Sequence, residues 1–220
     1  MDKTAIRDAA TIIIMRNVAT QPAVLMGQRG KDAAFMPGKF VFPGGAIDPN
    51  DASVPCPPPA DPHLGRLQQD SALQPATIAA AAIRELWEET GQILGTPATW
   101  VDAPQGWRGF AATGHKPNAA ALSFFFRAIT PKGRPRRFDA RFLLADASAL
   151  IGDVDDFSGA EDELSHLQWV KLAEARDYDL PFITQVVMAE LMAYVQGDGT
   201  IESVPFFRND DEDRLVSRLV

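Results

Sequence analysis

The stretch that decides the fold is Arg84-Glu85-Leu86-Trp87-Glu88-Glu89-Thr90-Gly91. It lies in the segment from Ala76 to Gln92, whose Ala, Leu, Glu and Arg content predicts a helix closed by a glycine cap. Residues three and four apart lie on one face of a helix, so Glu85, Glu88 and Glu89 would gather three carboxylates in one small region. Because like charges at this spacing repel, the cluster predicts either an acidic face open to water or a site for a divalent cation, Mg²⁺ or Mn²⁺.

A glycine bend and two further acids precede this helix. Phe40-Val41-Phe42 is a short apolar run, and Pro43-Gly44-Gly45 closes it with a predicted tight turn whose backbone can approach an ion. Asp48 and Asp51 follow. Prolines are dense between Pro49 and Pro75, so this segment is predicted to be a loop inserted between the bend and the helix.

Strands are predicted on both sides of the central helix, because several short runs are rich in Ile, Val, Leu, Phe and Met. These runs are Thr11 to Arg16, Val24 to Arg29, Ser123 to Ile129, Phe138 to Leu144 and Leu164 to Lys171. Pro181 suits the first position of a helix that runs to Val195. A polar tail from Asn209 to Asp213 and a short terminal helix are predicted last. The order predicts an α/β fold, with a mixed sheet flanked by helices on both faces.

Composition limits the function. The chain has 220 residues, 46% of them hydrophobic and 23% charged, which predicts one globular domain over residues 1–220. No apolar run is long enough to cross a membrane, and the N-terminus lacks the features of a signal peptide, so a cytoplasmic location is expected. The formal net charge of −8 argues against a nucleic-acid polymer as partner. A small anionic substrate is compatible with this charge if divalent cations and local Arg residues reverse the field in one cleft.

The glycine bend and the helix together resemble the Nudix box. In that motif a Gly is followed after five residues by Glu, and Arg84 to Gly91 fits each fixed position of its second half. Three features depart from it. Asp51 stands where the motif has Glu, and Gln92 stands where it has an aliphatic residue. The family places the Arg eight positions after the acid, whereas Arg84 follows Asp51 by 33, which leaves an insertion of 25 residues at about positions 52–75. The resemblance implies a Nudix-type α/β/α sandwich.

The resemblance also implies a metal site and a reaction. The metal ligands would be the Gly44 carbonyl and the three helix glutamates, with Glu163 as a distal ligand. Glu161 and Asp162 are rivals to Glu163, and a plain acidic loop is the alternative for all three. Water activated by Mg²⁺ or Mn²⁺ would attack one phosphorus of a diphosphate, and Glu85 or Glu163 would accept the proton.

Part of the chain is similar to a signature of the peroxisomal-type coenzyme A diphosphatases and their bacterial relatives. Arg29, Gly38 and the Phe42 to Gly45 run match it, while Ala34 stands where a second Arg is common. This similarity favours coenzyme A or an acyl-coenzyme A as substrate. ADP-ribose, NADH or a nucleoside triphosphate are the alternatives, as is a sensing module that binds such nucleotides without cutting them.

Three arginines are candidates for contact with the substrate or its metal ligands. Arg29 would face the phosphates, although a surface role at the end of a strand is the alternative. Arg84 would orient the glutamates from behind. Arg137 belongs to a basic group that could recruit an anion or could form a solvated loop: Lys132, Arg134, Arg136, Arg137 and Arg141. The partner is expected to be a small molecule, and a homodimer is compatible with the sequence.

Overall fold

The computed structural model describes residues 5–33, 35–60, 62–209 and 216–220. Ala34, which bears on the coenzyme A signature, and most of the predicted acidic tail from Asn209 to Asp213 lie outside the described residues.

The described residues form strands and helices that are interspersed along the chain. The strands are β1 (Ile6–Arg16), β2 (Ala23–Arg29), β3 (Phe40–Val41), β4 (Gly44–Ala46), β5 (Gly95–Pro97), β6 (His115–Pro117), β7 (Ser123–Ile129), β8 (Arg137–Asp146), β9 (Leu164–Lys171), β10 (Val204–Arg208) and β11 (Val216–Leu219). The α-helices are α1 (His63–Gln68), α2 (Pro75–Thr90), α3 (Arg108–Ala112) and α4 (Phe182–Gln196). Short 3₁₀ helices span Pro49–Ser53, Ala147–Ala149 and Leu172–Asp177.

Among the described residues, nine strands form one mixed sheet in the order β11-β10-β7-β8-β1-β2-β3, with β4 paired to β1 and β9 to β2. The β1·β8 and β7·β10 pairs are parallel, and the others are antiparallel. Strands β1 and β2 pair only near their connecting turn, at Met15 with Val24. Beyond that point they diverge, and β3 and β4 pair with the separated edges. The predicted tight turn was wrong at Gly44 and Gly45: the chain bends at Pro43, and both glycines lie in β4, paired with β1. This segment, still called the glycine bend, therefore lies in the middle of the sheet.

Helices α2 and α4 cover opposite faces of this sheet. Alternate side chains of β1 point to opposite faces, as a strand requires. Ala10, Ile12 and Ile14 join the core that contains α2. Ile13 and Met15 join a second core that contains α4. The predicted mixed sheet between helices is confirmed, and the fold is the Nudix fold.

Helix α2 is placed deep in the molecule by its small side chains. The run from Ala79 to Ala82 has no exposed surface, so the helix axis can approach the sheet closely. Gly91 ends the helix with φ 75°, a left-handed conformation that glycine adopts without strain. Its N–H donates to the Trp87 carbonyl at 2.8 Å. The predicted helix and its glycine cap are confirmed, with the last helical residue at Thr90.

The insertion before α2 is folded against the sheet, so its description as a loop was incomplete. It contains the 3₁₀ helix at Pro49–Ser53 and α1, and Leu67 on α1 is 1% exposed. The Arg66 guanidinium donates to the carbonyls of Ile201 and Glu202, each at 2.5 Å. From the other side, Arg127 on β7 donates to the carbonyls of Gln69 and Asp70. These bonds fasten the insertion to β7 and to the chain before β10.

The predicted terminal helix was wrong. The end of the chain instead adds β10 and β11 to the sheet, with β10 parallel to β7 and β11 antiparallel to β10. Val204 and Phe206 on β10 are buried in the core beneath α2, which stabilises an extended conformation there. Within the described residues, no helix combines the length and the hydropathy that a membrane crossing requires.

Candidate metal centre

Glu89 joins α2 to the glycine bend. The Gly44 N–H donates to Glu89 Oε2 at 2.7 Å, and the residue is 2% exposed. Its other oxygen, Oε1, is buried without a hydrogen-bond partner. Burial, followed by repulsion from Glu85, raises the pKa of Glu89 well above its usual value, against the bond from Gly44. A buried carboxylate oxygen without a partner is unfavourable unless a cation or a proton reaches it.

Glu85 lies directly on Gly45. A Cβ added to Gly45 would be 2.6 Å from both Glu85 oxygens, so this carboxylate occupies space that only a glycine leaves open. Burial raises the pKa of Glu85 to about 7 although Arg84 opposes the shift, and Glu88 and Glu163 add to it. The pKa of Glu88, which is less buried, is also raised, mainly by burial. Burial is the main cause of all three raised pKa values, and repulsion of Glu85 by Glu88 and of Glu89 by Glu85 adds to it.

Arg84 holds two of these carboxylates in position. Nη1 donates to Glu85 Oε1 and to Glu88 Oε2, both at 2.8 Å. Nη2 donates to the Ala46 carbonyl at 3.1 Å, and Nε and Nη2 together grip both oxygens of Asp51 at 3.0 and 3.1 Å. A guanidinium has five N–H groups, and here all five are used. Arg84 therefore orients the glutamates from behind and has no N–H left for a substrate phosphate.

Asp51 is an anchor and lies behind the carboxylate cluster. It is 1% exposed and lies in the 3₁₀ helix at Pro49–Ser53, where it also accepts from the Asp48 N–H at 2.9 Å. Trp107 Nε1 donates to Asp51 Oδ1 at 2.9 Å. The acid that replaces the motif's Glu thus fixes Arg84. Sequence reasoning missed Trp107, since nothing in its local pattern distinguishes it from a core aromatic.

The loop before β9 brings two acids toward α2. Glu163 pairs with Arg29, whose Nη2 lies 2.8 Å from Glu163 Oε1. Glu163 is exposed, and its charge contributes to the raised pKa of both Glu85 and Glu89, which places it near them. Its rival Glu161 instead contributes to the raised pKa of Glu88, and the Glu161 N–H donates to the Glu88 carbonyl at 2.7 Å. The structure therefore brings Arg29 and Glu163 to the edge of the cluster.

Arg137 is not brought to this cluster. It is the first residue of β8 and pairs with Ile6 of β1. The pair of β8 and β1 that lies beside Gly44 is Phe142 with Thr11, five residues further along both strands. Its Nε donates to the Thr130 carbonyl at 3.0 Å.

The rest of the basic group divides in two. Lys132, Arg134 and Arg136 are exposed at the hairpin turn. Arg141 is 2% exposed and pairs with Asp8 and Asp139 inside the sheet.

The donor set fits a hard divalent cation, although its side chains are not yet arranged as a closed site. Across the part of the chain that is described, no three His, Cys, Asp or Glu side chains already converge as metal ligands. Arg84 holds one oxygen of Glu85 and one of Glu88, and a backbone N–H holds Glu89. The unpartnered Glu89 oxygen and the mutual repulsion of the carboxylates are what a bound cation would relieve. Carboxylate oxygens are ligands that Mg²⁺ and Mn²⁺ accept.

Known proteins resemble the chain in sequence and in structure. No profile of a known protein family matches it. A Caenorhabditis elegans protein whose name assigns it provisionally as nudix hydrolase 7 is 30% identical over 184 residues, which cover 78% of this chain and 53% of that protein. The chain thus spans about half the length of this relative.

Two solved structures are similar as well. The crystal structure of a Nudix hydrolase from Alicyclobacillus acidocaldarius matches with a TM-score of 0.64 and 25% identity, covering 88% of this chain and 97% of that one. A MutT protein from Methanosarcina mazei matches with a TM-score of 0.51 and 14% identity over 90% of this chain and 99% of its own, which shows a shared fold.

Proposed function

We propose that the chain is a member of the Nudix hydrolase superfamily and a metal-dependent pyrophosphohydrolase that cuts a diphosphate linkage in a small nucleotide-derived substrate. One observation carries the proposal: Glu85 and Glu89 of α2 pack against the backbone of Gly45 and Gly44, Arg84 ties Glu88 to Glu85, and Glu89 Oε1 is buried and unpartnered. Arg84 is bonded to Glu85 and Glu88, whereas one oxygen of the buried Glu89 has no partner, so a further cation would offset the charge that Arg84 does not.

The residues of the chain divide the work by their position. Glu85, Glu88 and Glu89 would hold the ions together with the Gly44 carbonyl, and Glu163 would be a ligand from the opposite loop. When bound, divalent ions lower the pKa of the attacking water and offset negative charge on the phosphate oxygens. Arg29, already beside Glu163, would bind the phosphates through its planar guanidinium.

Two glutamates remain candidates for the group that takes the proton. Glu85 is buried and accepts a hydrogen bond from Arg84, whereas Glu163 is exposed at the rim. Replacing each by Gln separates the roles. The base is the glutamate whose loss lowers kcat at saturating metal, and a ligand is one whose loss raises the metal concentration needed for half-maximal rate.

Coenzyme A or an acyl-coenzyme A is the favoured substrate. Support comes from the link between two of the signature residues: the Gly38 N–H donates to the Arg29 carbonyl at 3.2 Å, and the Arg29 N–H donates to the Lys39 carbonyl at 2.9 Å. Gly38 has φ 71°, a conformation that favours glycine. This turn fixes the end of β2 and so holds Arg29 next to Glu163, where it could meet a diphosphate.

The experiment is a substrate panel with product identification by mass. Purified protein is incubated with Mg²⁺ or Mn²⁺ and, separately, coenzyme A, acetyl-coenzyme A, ADP-ribose, NADH or a nucleoside triphosphate. We expect metal-dependent cleavage, with 3′,5′-ADP and a phosphopantetheine released from coenzyme A. If another compound of the panel is cleaved preferentially, that compound is the substrate, and the proposed metal-dependent hydrolysis still holds. Binding of nucleotides without cleavage of any would establish the sensing module instead.

A further inference from the structure

Trp107 lies outside the glycine bend and α2, yet it reaches the carboxylate that orients Arg84. Its indole N–H donates to Asp51 Oδ1 at 2.9 Å, and the residue has no exposed surface. The ring packs edge-on against Phe110 at a centroid distance of 5.4 Å and tilted against Trp100 at 5.9 Å. An aromatic cluster therefore holds the indole in place, and burial keeps it from stacking on a substrate.

The Trp107 bond completes the hydrogen bonding of Asp51. Oδ2 accepts from the Asp48 N–H and from Arg84 Nη2, while Oδ1 accepts from Arg84 Nε and from Trp107. A carboxylate has about four acceptor positions, so both oxygens are fully used. Without the indole, Oδ1 would keep only its bond from Arg84, and the rotation of the carboxylate would be less constrained.

Arg84 transmits this constraint to the cluster. Its guanidinium is planar and rigid, so the angle at which it meets Asp51 sets the direction of Nη1. Nη1 in turn donates to Glu85 and Glu88. We propose that Trp107 is a positioning residue: its indole N–H fixes Asp51, which fixes Arg84, which holds Glu85 and Glu88 for the cation. The inference rests on the proposed function, because it concerns the cation site of that reaction.

Trp107→Phe tests the bond, because it removes the N–H and keeps an aromatic ring in the cluster. Trp100→Phe is the matched control, since Trp100 packs on Trp107 and has no bond to Asp51. For the full chain, Mn²⁺ binding is measured by electron paramagnetic resonance of the free ion, and thermal unfolding is measured without metal.

We expect Trp107→Phe to raise the Mn²⁺ dissociation constant about three- to tenfold over Trp100→Phe. This is less than the roughly 10- to 100-fold effect of a group that contacts a metal ligand directly, because Trp107 acts through two side chains. A purely structural role predicts equal dissociation constants for the two variants, and that result would overturn the proposal even if Trp107→Phe lowers the unfolding temperature.

A double-mutant comparison tests whether Trp107 acts through Asp51. If it does, adding Trp107→Phe to Asp51→Ala, which removes both acceptor oxygens, should change the Mn²⁺ dissociation constant by less than about twofold. If the double variant instead shows the product of the two single-variant changes in the dissociation constant, Trp107 does not act through Asp51.

Three further outcomes separate this inference from the proposed function. If Trp107→Phe does not fold, the wild-type ¹H–¹⁵N spectrum replaces it: saturation with Mg²⁺ should move the Trp107 indole signal more than that of Trp100, and a stationary Trp107 signal would overturn the inference. Absence of Mn²⁺ binding by the wild type would overturn the proposed function as well. If the wild type binds Mn²⁺ tightly and Trp107→Phe and Trp100→Phe have equal dissociation constants, this inference alone is overturned.

Discussion

Gly45→Ala should separate the position of the Glu85 carboxylate from the stability of the fold. The new Cβ would lie 2.6 Å from both carboxylate oxygens, whereas ordinary van der Waals contact begins at 3.4 Å, so the oxygens must move by about the difference, 0.8 Å. A misplacement of roughly 1 Å can lower a rate about 100-fold. We therefore expect kcat/KM to fall about 100-fold on the preferred substrate of the panel. The free energy of unfolding should change by no more than about 1.5 kcal/mol, because the displaced atoms end a flexible side chain.

Two other glycines provide the controls. At Gly65 in α1 a Cβ meets nothing within 4 Å, so Gly65→Ala should leave rate and stability unchanged or slightly raise stability. At Gly44 a Cβ would be 2.7 Å from the Ala10 carbonyl oxygen and the Thr11 Cα. Backbone cannot retreat as a side chain does, so Gly44→Ala should lose about 1–3 kcal/mol in urea unfolding without metal. Wild-type kcat/KM in Gly45→Ala, or a stability loss well above about 1.5 kcal/mol in that variant, would refute the reasoning.

Further expectations concern the acids, Arg29 and the insertion. Glu88→Gln and Glu89→Gln should lower turnover more than about 100-fold in the metal-dependent assay without unfolding the protein, and full turnover in both would remove the metal assignment. Arg29→Ala should raise KM roughly tenfold with little change in kcat, and the reverse pattern would show that Arg29 does not bind the substrate's ground state. Leu67→Ala should destabilise the chain by about 2–5 kcal/mol in urea unfolding with kcat/KM intact, and altered substrate preference would instead make the insertion part of recognition.

The sequence predicts those parts of the fold that depend on local periodicity. Helical spacing places Glu85, Glu88 and Glu89 together, and Gly91 marks the end of the helix because only a residue tolerant of positive φ fits there. The segment Leu164–Lys171 is bounded as the pattern predicts. The Arg84 contact with Glu88 follows from the same spacing, since the two residues are four positions apart, whereas the Arg84 contact with the adjacent Glu85 does not.

The other features of the fold and of the site depend on contacts between residues that are far apart in the sequence, and no local pattern predicts such contacts. Trp107 and Asp51 are separated by 56 positions, and the aromatic character of Trp107 alone indicates only burial. Strand β10 contains Pro205 and pairs in parallel with β7, at Phe206 with Arg127, so neither alternation nor a neighbouring turn marks it. The many prolines of the insertion predict a loop, and the sequence does not indicate that Arg66 and Leu67 fasten this segment to the sheet.

The most direct measurement of the central claim is an anomalous difference map from crystals soaked in MnCl₂. We expect a peak between the carboxylates of Glu85, Glu88 and Glu89 and the backbone of Gly44, with the unpartnered Glu89 oxygen now coordinated. A well-ordered map in which that space holds no anomalous density, while Mn²⁺ occupies other positions on the protein, would contradict it.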